Sequence, residues 1–168
     1  MKRSPQTRSR ASSRVTSRGR AATHRSFWRC PRCQKTFITR NMWHSCRVYD
    51  LERLFVRSQT HVRELYSKVL ACVKGCGPIT VNPGRRGIAL QVRVRALGCV
   101  PKRSHLELGL AFRKPVSHPR FFKVVSYTGT FHAHWLRLER ASDIDAQVRA
   151  WIRRAYATAA QQQVAASR

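Results

Sequence analysis

The chain has 168 residues, enough for one compact domain with a small appendage and too few for two large ones. Hydrophobic residues make up 42%, so a packed core is within reach, and no apolar run approaches the roughly 18 to 20 residues of a membrane span. Lys and Arg number 34 against 7 Asp and Glu, and the formal charge of +27 directs the surface toward polyanions.

Residues 1–26 read as a disordered basic tail. They carry Lys2, Arg3, Arg8, Arg10, Arg14, Arg18, Arg20 and Arg25 with no carboxylate. So little apolar surface cannot offset the entropy of ordering the chain. The functional reading is an electrostatic arm that releases counterions from nucleic acid; the plainer reading is a solubilising leader. Basic charge without an apolar segment does not make a secretory signal. Val15 is the only large aliphatic residue after Met1, which disfavours an amphipathic transit peptide. A cytoplasmic protein with reduced thiols is therefore expected.

Residues 27–47 concentrate Cys, His and aromatic side chains in the pattern Cys30-x2-Cys33-x10-His44-x-Cys46. A C-x2-C pair followed by a second spaced pair is the common structural solution for tetrahedral zinc, so these four residues are the expected Zn2+ ligands. A segment this short cannot fold on a hydrophobic core alone, and the metal would supply the missing stability. Phe27, Trp28, Phe37 and Trp43 would pack around it or stack on bases. Arg29, Arg32, Lys35 and Arg40 extend the nucleic-acid-binding charge of the tail into this knuckle. The alternatives are free thiols or a redox pair, and no strand–helix context of thioredoxin type supports the latter.

Residues 48–158 form the main domain. Leu51, Leu54, Phe55, Val62, Leu65, Tyr66, Val69, Leu70 and Val73 recur at three- and four-residue steps and predict a helix, broken near Ser58–Thr60 and stopped before Gly75. Strands are predicted at Ile79–Val81, along the alternation Ile88, Leu90, Val92, Val94, and along Leu106, Leu108, Leu110, Phe112. Two more, Phe121–Tyr127 and Thr130–Leu138, join through a Thr-Gly turn. Ser142 is the expected cap of a last helix, with Asp143 and Asp145 in its first turn and Ile144, Val148, Trp151, Ile152 and Ala155 on its apolar face. Residues 159–168 should fray. The fold class is α+β: an antiparallel sheet of about five strands flanked by an N-terminal and a C-terminal helix.

Several segments of this domain carry a family resemblance. Gly77-Pro78-Ile79-Thr80-Val81, Ile88-Ala89-Leu90-Gln91-Val92, His105-Leu106-Glu107-Leu108-Gly109-Leu110, His132-Ala133-His134-Trp135-Leu136 and Val148-Arg149-Ala150-Trp151 resemble an uncharacterised bacterial family, the domain of unknown function DUF5655, over about Leu51 to Tyr156. The preceding Cys30…Cys46 segment resembles one that some members carry. The resemblance implies an α+β fold and no particular activity.

Catalytic signatures are scarce. Gly84-Arg85-Arg86-Gly87 reads as a turn, not a phosphate loop. The carboxylates sit at apparent helix starts or singly, too few to hold a catalytic metal. His132 and His134 share a strand face, and with Arg93 and Arg95 they could line a pocket for a small anionic ligand; the plainer reading is a pair of hydrogen-bonded structural histidines. Cys72, Cys76 and Cys99 read as small core residues. The leading expectation is a non-catalytic protein that binds DNA or RNA through phosphates. The alternatives are a protein–protein adaptor with a structural zinc, or a small-ligand or enzyme domain at the His132 and His134 pocket.

Overall fold

The computed structural model describes residues 28–37, 46–47, 49–127 and 131–160. A two-stranded hairpin, β1 (Trp28–Arg29) and β2 (Thr36–Phe37), precedes the main domain. After a 3-10 turn at Glu52–Leu54 comes helix α1 (Thr60–Lys74). Strands β3 (Thr80–Pro83), β4 (Ile88–Gln91), β5 (Arg95–Pro101), β6 (Leu106–Phe112), β7 (Lys123–Ser126) and β8 (His132–Leu138) follow, then a 3-10 turn at Ala141–Asp143 and helix α2 (Ala146–Ala160). The strands make one antiparallel sheet in the order β3-β4-β5-β6-β8-β7. The expected α+β class with one helix before and one after the sheet is what the chain adopts, with six strands where the sequence suggested about five.

The additional strand is β5. Ala96, Leu97 and Cys99 are buried in the middle of the sheet, but the outward positions are Gly98 and Val100, so the segment lacks the apolar–polar alternation by which a half-buried strand is recognised. The alternation Ile88, Leu90, Val92, Val94 is real but does not mark one strand. A bulge at Leu90/Gln91 and a tight turn, in which the Val92 N–H donates to the Val94 carbonyl at 3.0 Å, end β4 and start β5. Val92 and Val94 still touch the core from the turn, which keeps the periodicity going. Arg93 therefore lies in the turn and Arg95 opens the next strand, so the two do not share a strand face as expected.

Both helices pack on one face of the sheet. Val62, Leu65, Tyr66, Val69 and Val73 of α1, and Val148, Trp151, Ile152, Ala155 and Tyr156 of α2, meet the inward row of Leu97, Leu108, Leu110, Leu136 and Leu138. Burial of each such aliphatic side chain contributes about 1.5–3 kcal/mol against chain entropy. The break ahead of α1 falls where the periodicity placed it, with Gln59 extended at φ −67° and ψ 153°. The cap of α2 is displaced: Asp145 Oδ1 accepts from the Val148 N–H at 2.9 Å, while Ser142 lies inside the 3-10 turn. Asp143 Oδ2 accepts from the Glu139 and Arg140 N–H groups instead. Helix α2 runs to Ala160 and buries Thr158 and Ala159, two residues beyond the expected start of fraying. The basic tail over residues 1–26 and the residues past 160 lie outside the described residues.

On the helix-free face, Ala89, Gly98, Gly109, Trp135 and Lys123 form one cross-strand row. The Trp135 ring lies across Gly109 so closely that a Cβ there would stand 3.0 Å from three ring atoms, and it reaches Gly98. Gly109→Val adds a residue that strands otherwise favour. It should nevertheless destabilise the domain by about 1–3 kcal/mol in urea unfolding, because the added side chain must displace the indole from its seat across Gly109 and Gly98. A neutral or stabilising outcome would show that the Trp135 contact does not constrain the sheet.

Candidate metal centre

The hairpin β1–β2 is built around the first cysteine pair. Pro31, Arg32 and Cys33 make a turn in which the Gln34 N–H donates to the Cys30 carbonyl at 2.8 Å and the Cys30 N–H donates to the Lys35 carbonyl at 2.9 Å. Gln34 adopts φ 59°, a conformation rare outside Gly and Asn, and its side-chain amide closes the turn on the Pro31 carbonyl at 3.1 Å. This folding points the thiols of Cys30 and Cys33 toward Cys46, which arrives from later in the chain. The three Sγ atoms lie within 4.8 Å of one another, and Cys30 Sγ is 3.6 Å from Cys46 Sγ. That distance is far beyond a disulfide bond of about 2.05 Å.

The electrostatics of the cluster are those of a cation site. Desolvation pushes the Cys30 thiol up, but the N–H groups of Cys33 and Arg32 and the thiols of Cys33 and Cys46 outweigh it and bring it down to about 6. Desolvation raises Cys46 to about 11, helped by its neighbours Cys30 and Cys33. Without a counter-charge the cluster ionises in part and resists the last deprotonation, and a divalent ion removes that resistance. Three of the four ligands expected from the sequence thus come together. His44 lies outside the described residues, as do Arg8, Arg10, Arg14, Arg18, Arg20, Arg25 and Arg40. Of the other expected phosphate contacts, Arg29 and Arg32 are exposed on the hairpin and Lys35 is half-buried.

The remaining thiols do not join this cluster. Cys99 is fully buried, and burial pushes its thiol up to about 12. The Cys76 thiol donates to the Cys72 carbonyl at 3.3 Å. All three pack as small apolar groups against the core.

His132 and His134 point to the helix-covered face, as the strand period requires, and both rings are occupied by the protein. The Val116 N–H donates to His134 Nε2 at 2.8 Å, so that nitrogen is bare, and Nδ1–H donates to the His132 carbonyl at 3.1 Å. His132 Nδ1 is 2.8 Å from Ser126 Oγ. The rings of Phe112 and Phe121 close over His134, and Trp151 stacks behind Phe121. Arg95 stands on β5, with β6 between it and the histidines of β8, so the expected grouping of Arg93 and Arg95 with these imidazoles does not form. Sequence reading also passed over Arg85 and Arg86, which a Gly84…Gly87 frame holds out beside Arg53, Arg57 and Arg103. Two arginines between glycines in a turn were the only local signal.

The His134 arrangement has a pH consequence. Burial lowers its pKa, with help from His132 and Arg154, while the bond to the His132 carbonyl opposes the shift. A folded pKa below the unfolded value of about 6.5 means the neutral imidazole stabilises the fold above that pH, and the contribution is lost as pH falls through the folded value. His134→Gln keeps an acceptor for Val116 and cannot protonate. Its stability loss on going from neutral to acid pH should be smaller than that of the parent chain in paired thermal melts, and equal losses would remove His134 as the cause.

No curated protein and no solved structure matches the chain. Among the described residues no helix is long and apolar enough to cross a membrane. The profile of the domain of unknown function DUF5655 matches residues 53–159, from the 3-10 turn before α1 to the last buried residue of α2. The cysteine hairpin lies ahead of that match, and the chain belongs to the DUF5655 family.

Proposed function

We propose that the chain is a zinc-stabilised basic protein that binds nucleic acid mainly through phosphate contacts and carries out no catalysis. The observation that supports it most is where the acidic side chains go. Glu52 pairs with Arg63 at 2.8 Å, Glu107 with Lys102 at 3.5 Å, and Asp145 with Arg120 at 2.7 Å. Asp50 and Asp143 accept backbone N–H groups at turn and helix starts. Five of the seven carboxylates of a chain with 34 Lys and Arg are therefore taken up in local structure, and the cations far outnumber the remaining Glu64 and Glu139. Such a surface is complementary to a dense line of phosphates.

The zinc assignment follows from donor type and spacing. Thiolates favour soft or borderline ions, and four tetrahedral ligands about 2.3 Å from zinc stand about 3.8 Å apart. The 3.6 Å between Cys30 and Cys46 fits that edge. Cys30, Cys33 and Cys46 would hold the ion, with His44 as the fourth ligand by its spacing. Bound zinc would lock the hairpin in place of a core it is too small to build.

Native mass spectrometry should find about one zinc ion per chain, lost with chelator and in Cys33→Ser. Protein prepared with zinc that stays metal-free and melts unchanged after Cys33→Ser overturns the assignment. Affinity for mixed-sequence DNA or RNA should change little with sequence and fall on the order of a thousandfold between about 50 and about 200 mM salt. Undetectable binding at the lower salt rejects the nucleic-acid reading.

A further inference from the structure

The segment ahead of α1, the β3–β4 hairpin and the β5–β6 turn enclose an open groove of about 1150 Å³. Six cationic side chains line it, namely Arg53, Arg57, Arg85, Arg86, Lys102 and Arg103, and no Asp or Glu does. Lys102 leans 3.5 Å toward Glu107 on β6. The five guanidinium groups have no ion-pair or side-chain hydrogen-bond partner among the described residues.

The walls are held firmly although the cations repel one another. The Gln59 N–H donates to the Arg103 carbonyl at 2.8 Å, and His61 Nε2–H donates to the Ser104 carbonyl at 2.9 Å. These bonds tie the β5–β6 turn to the start of α1. Across the groove, the Gly84 N–H donates to the Gly87 carbonyl at 2.8 Å. Gly87 sits so near β5 that a Cβ would come within 2.7 Å of the Cys99 carbonyl oxygen. Contacts from four places in the sequence thus hold like charges together, and an anion that occupies such an arrangement stabilises it.

We infer that this groove is a binding site for the phosphodiester backbone of a nucleic acid, so that the DUF5655 domain itself holds the polyanion. The inference rests on the nucleic-acid reading above and locates its contacts. Five of the six cations are arginines, whose planar fork meets a phosphate through two parallel N–H bonds. A concave groove receives a rod or strand of charge and not a planar bilayer. Leu54 and the 79% exposed Val56 place apolar surface beside the cations, where the carbon face of a sugar can lie.

The test uses the full chain in two forms. One carries Arg53→Gln, Arg57→Gln, Arg85→Gln, Arg86→Gln and Arg103→Gln. The other removes the same charge from exposed sites elsewhere, through Lys68→Gln, Lys74→Gln, Arg113→Gln, Lys114→Gln and Arg153→Gln. Fluorescence anisotropy with an oligonucleotide of about 30 residues, across about 50 to 200 mM salt, gives the slope of log affinity against log salt. The groove variant should lose about 3.5 to 4.5 units of that slope, at roughly 0.7 to 0.9 per phosphate contact, and the control less than about one. If the five-fold groove variant fails to fold by circular dichroism, Arg85→Gln with Arg86→Gln at the hairpin tip should still remove about one to two units. Equal losses in groove and control variants overturn the groove while leaving nucleic-acid binding intact. No binding by the parent chain rejects both readings, and tighter binding of a polyglutamate peptide than of the oligonucleotide assigns the groove to an acidic protein instead.

Discussion

Charge balance is the constraint around which this molecule is arranged. A chain with 34 cations and 7 carboxylates has few acids for neutralising the surface at large, and five of the seven, Asp50, Glu52, Glu107, Asp143 and Asp145, are engaged in local structure. Asp145 shows this well. One oxygen caps α2 through the Val148 N–H, and the other anchors Arg120 at 2.7 Å. Arg120 in turn donates to the Asp143 carbonyl at 2.7 Å and lies over the Trp151 ring. A single carboxylate thereby starts a helix and pins the loop that seals His134. Glu52 acts likewise, holding Arg63 so that its guanidinium covers the rings of Phe55 and Tyr66.

The cysteine hairpin faces the opposite problem. It has too few residues for a core, and its three convergent thiols would repel one another once ionised. The turn at Pro31–Cys33 supplies N–H groups that favour the Cys30 thiolate, while desolvation, with the Cys30 and Cys33 thiols beside it, pushes the Cys46 thiol up. A divalent ion held by the three thiols would resolve both deficits together, supplying the cohesion a core would give and the charge the thiolates lack. The hairpin precedes the family domain and exposes Arg29 and Arg32.

The sheet separates a packed face from an open one. Helices cover the row that includes Leu110 and His134, and burial there disfavours the charged form of the His134 imidazole. Away from it, the ends of β3–β4 and β5–β6 carry arginines whose carboxylate partners the chain does not supply. The cysteine cluster, the packed core and the arginine-rich groove thus each have a separate location.

The sequence by itself determined the elements whose signal is local. The α1 periodicity, the break before it, the half-buried strands at Leu106–Phe112 and His132–Leu138, and the Cys30-x2-Cys33…Cys46 spacing were all legible, because each rests on a repeat or a spacing within a short window. Strand β5 was not, since its outward positions Gly98 and Val100 carry no polar side chain to mark the alternation, and the β4–β5 turn was hidden because its valines touch the core while turning. The convergence of Arg53, Arg57, Arg85, Arg86 and Arg103 was decided by tertiary structure alone. Charged side chains carry no period, and segments some 30 to 50 residues apart become neighbours only when an antiparallel sheet brings its hairpin and its turn up to the same helix start.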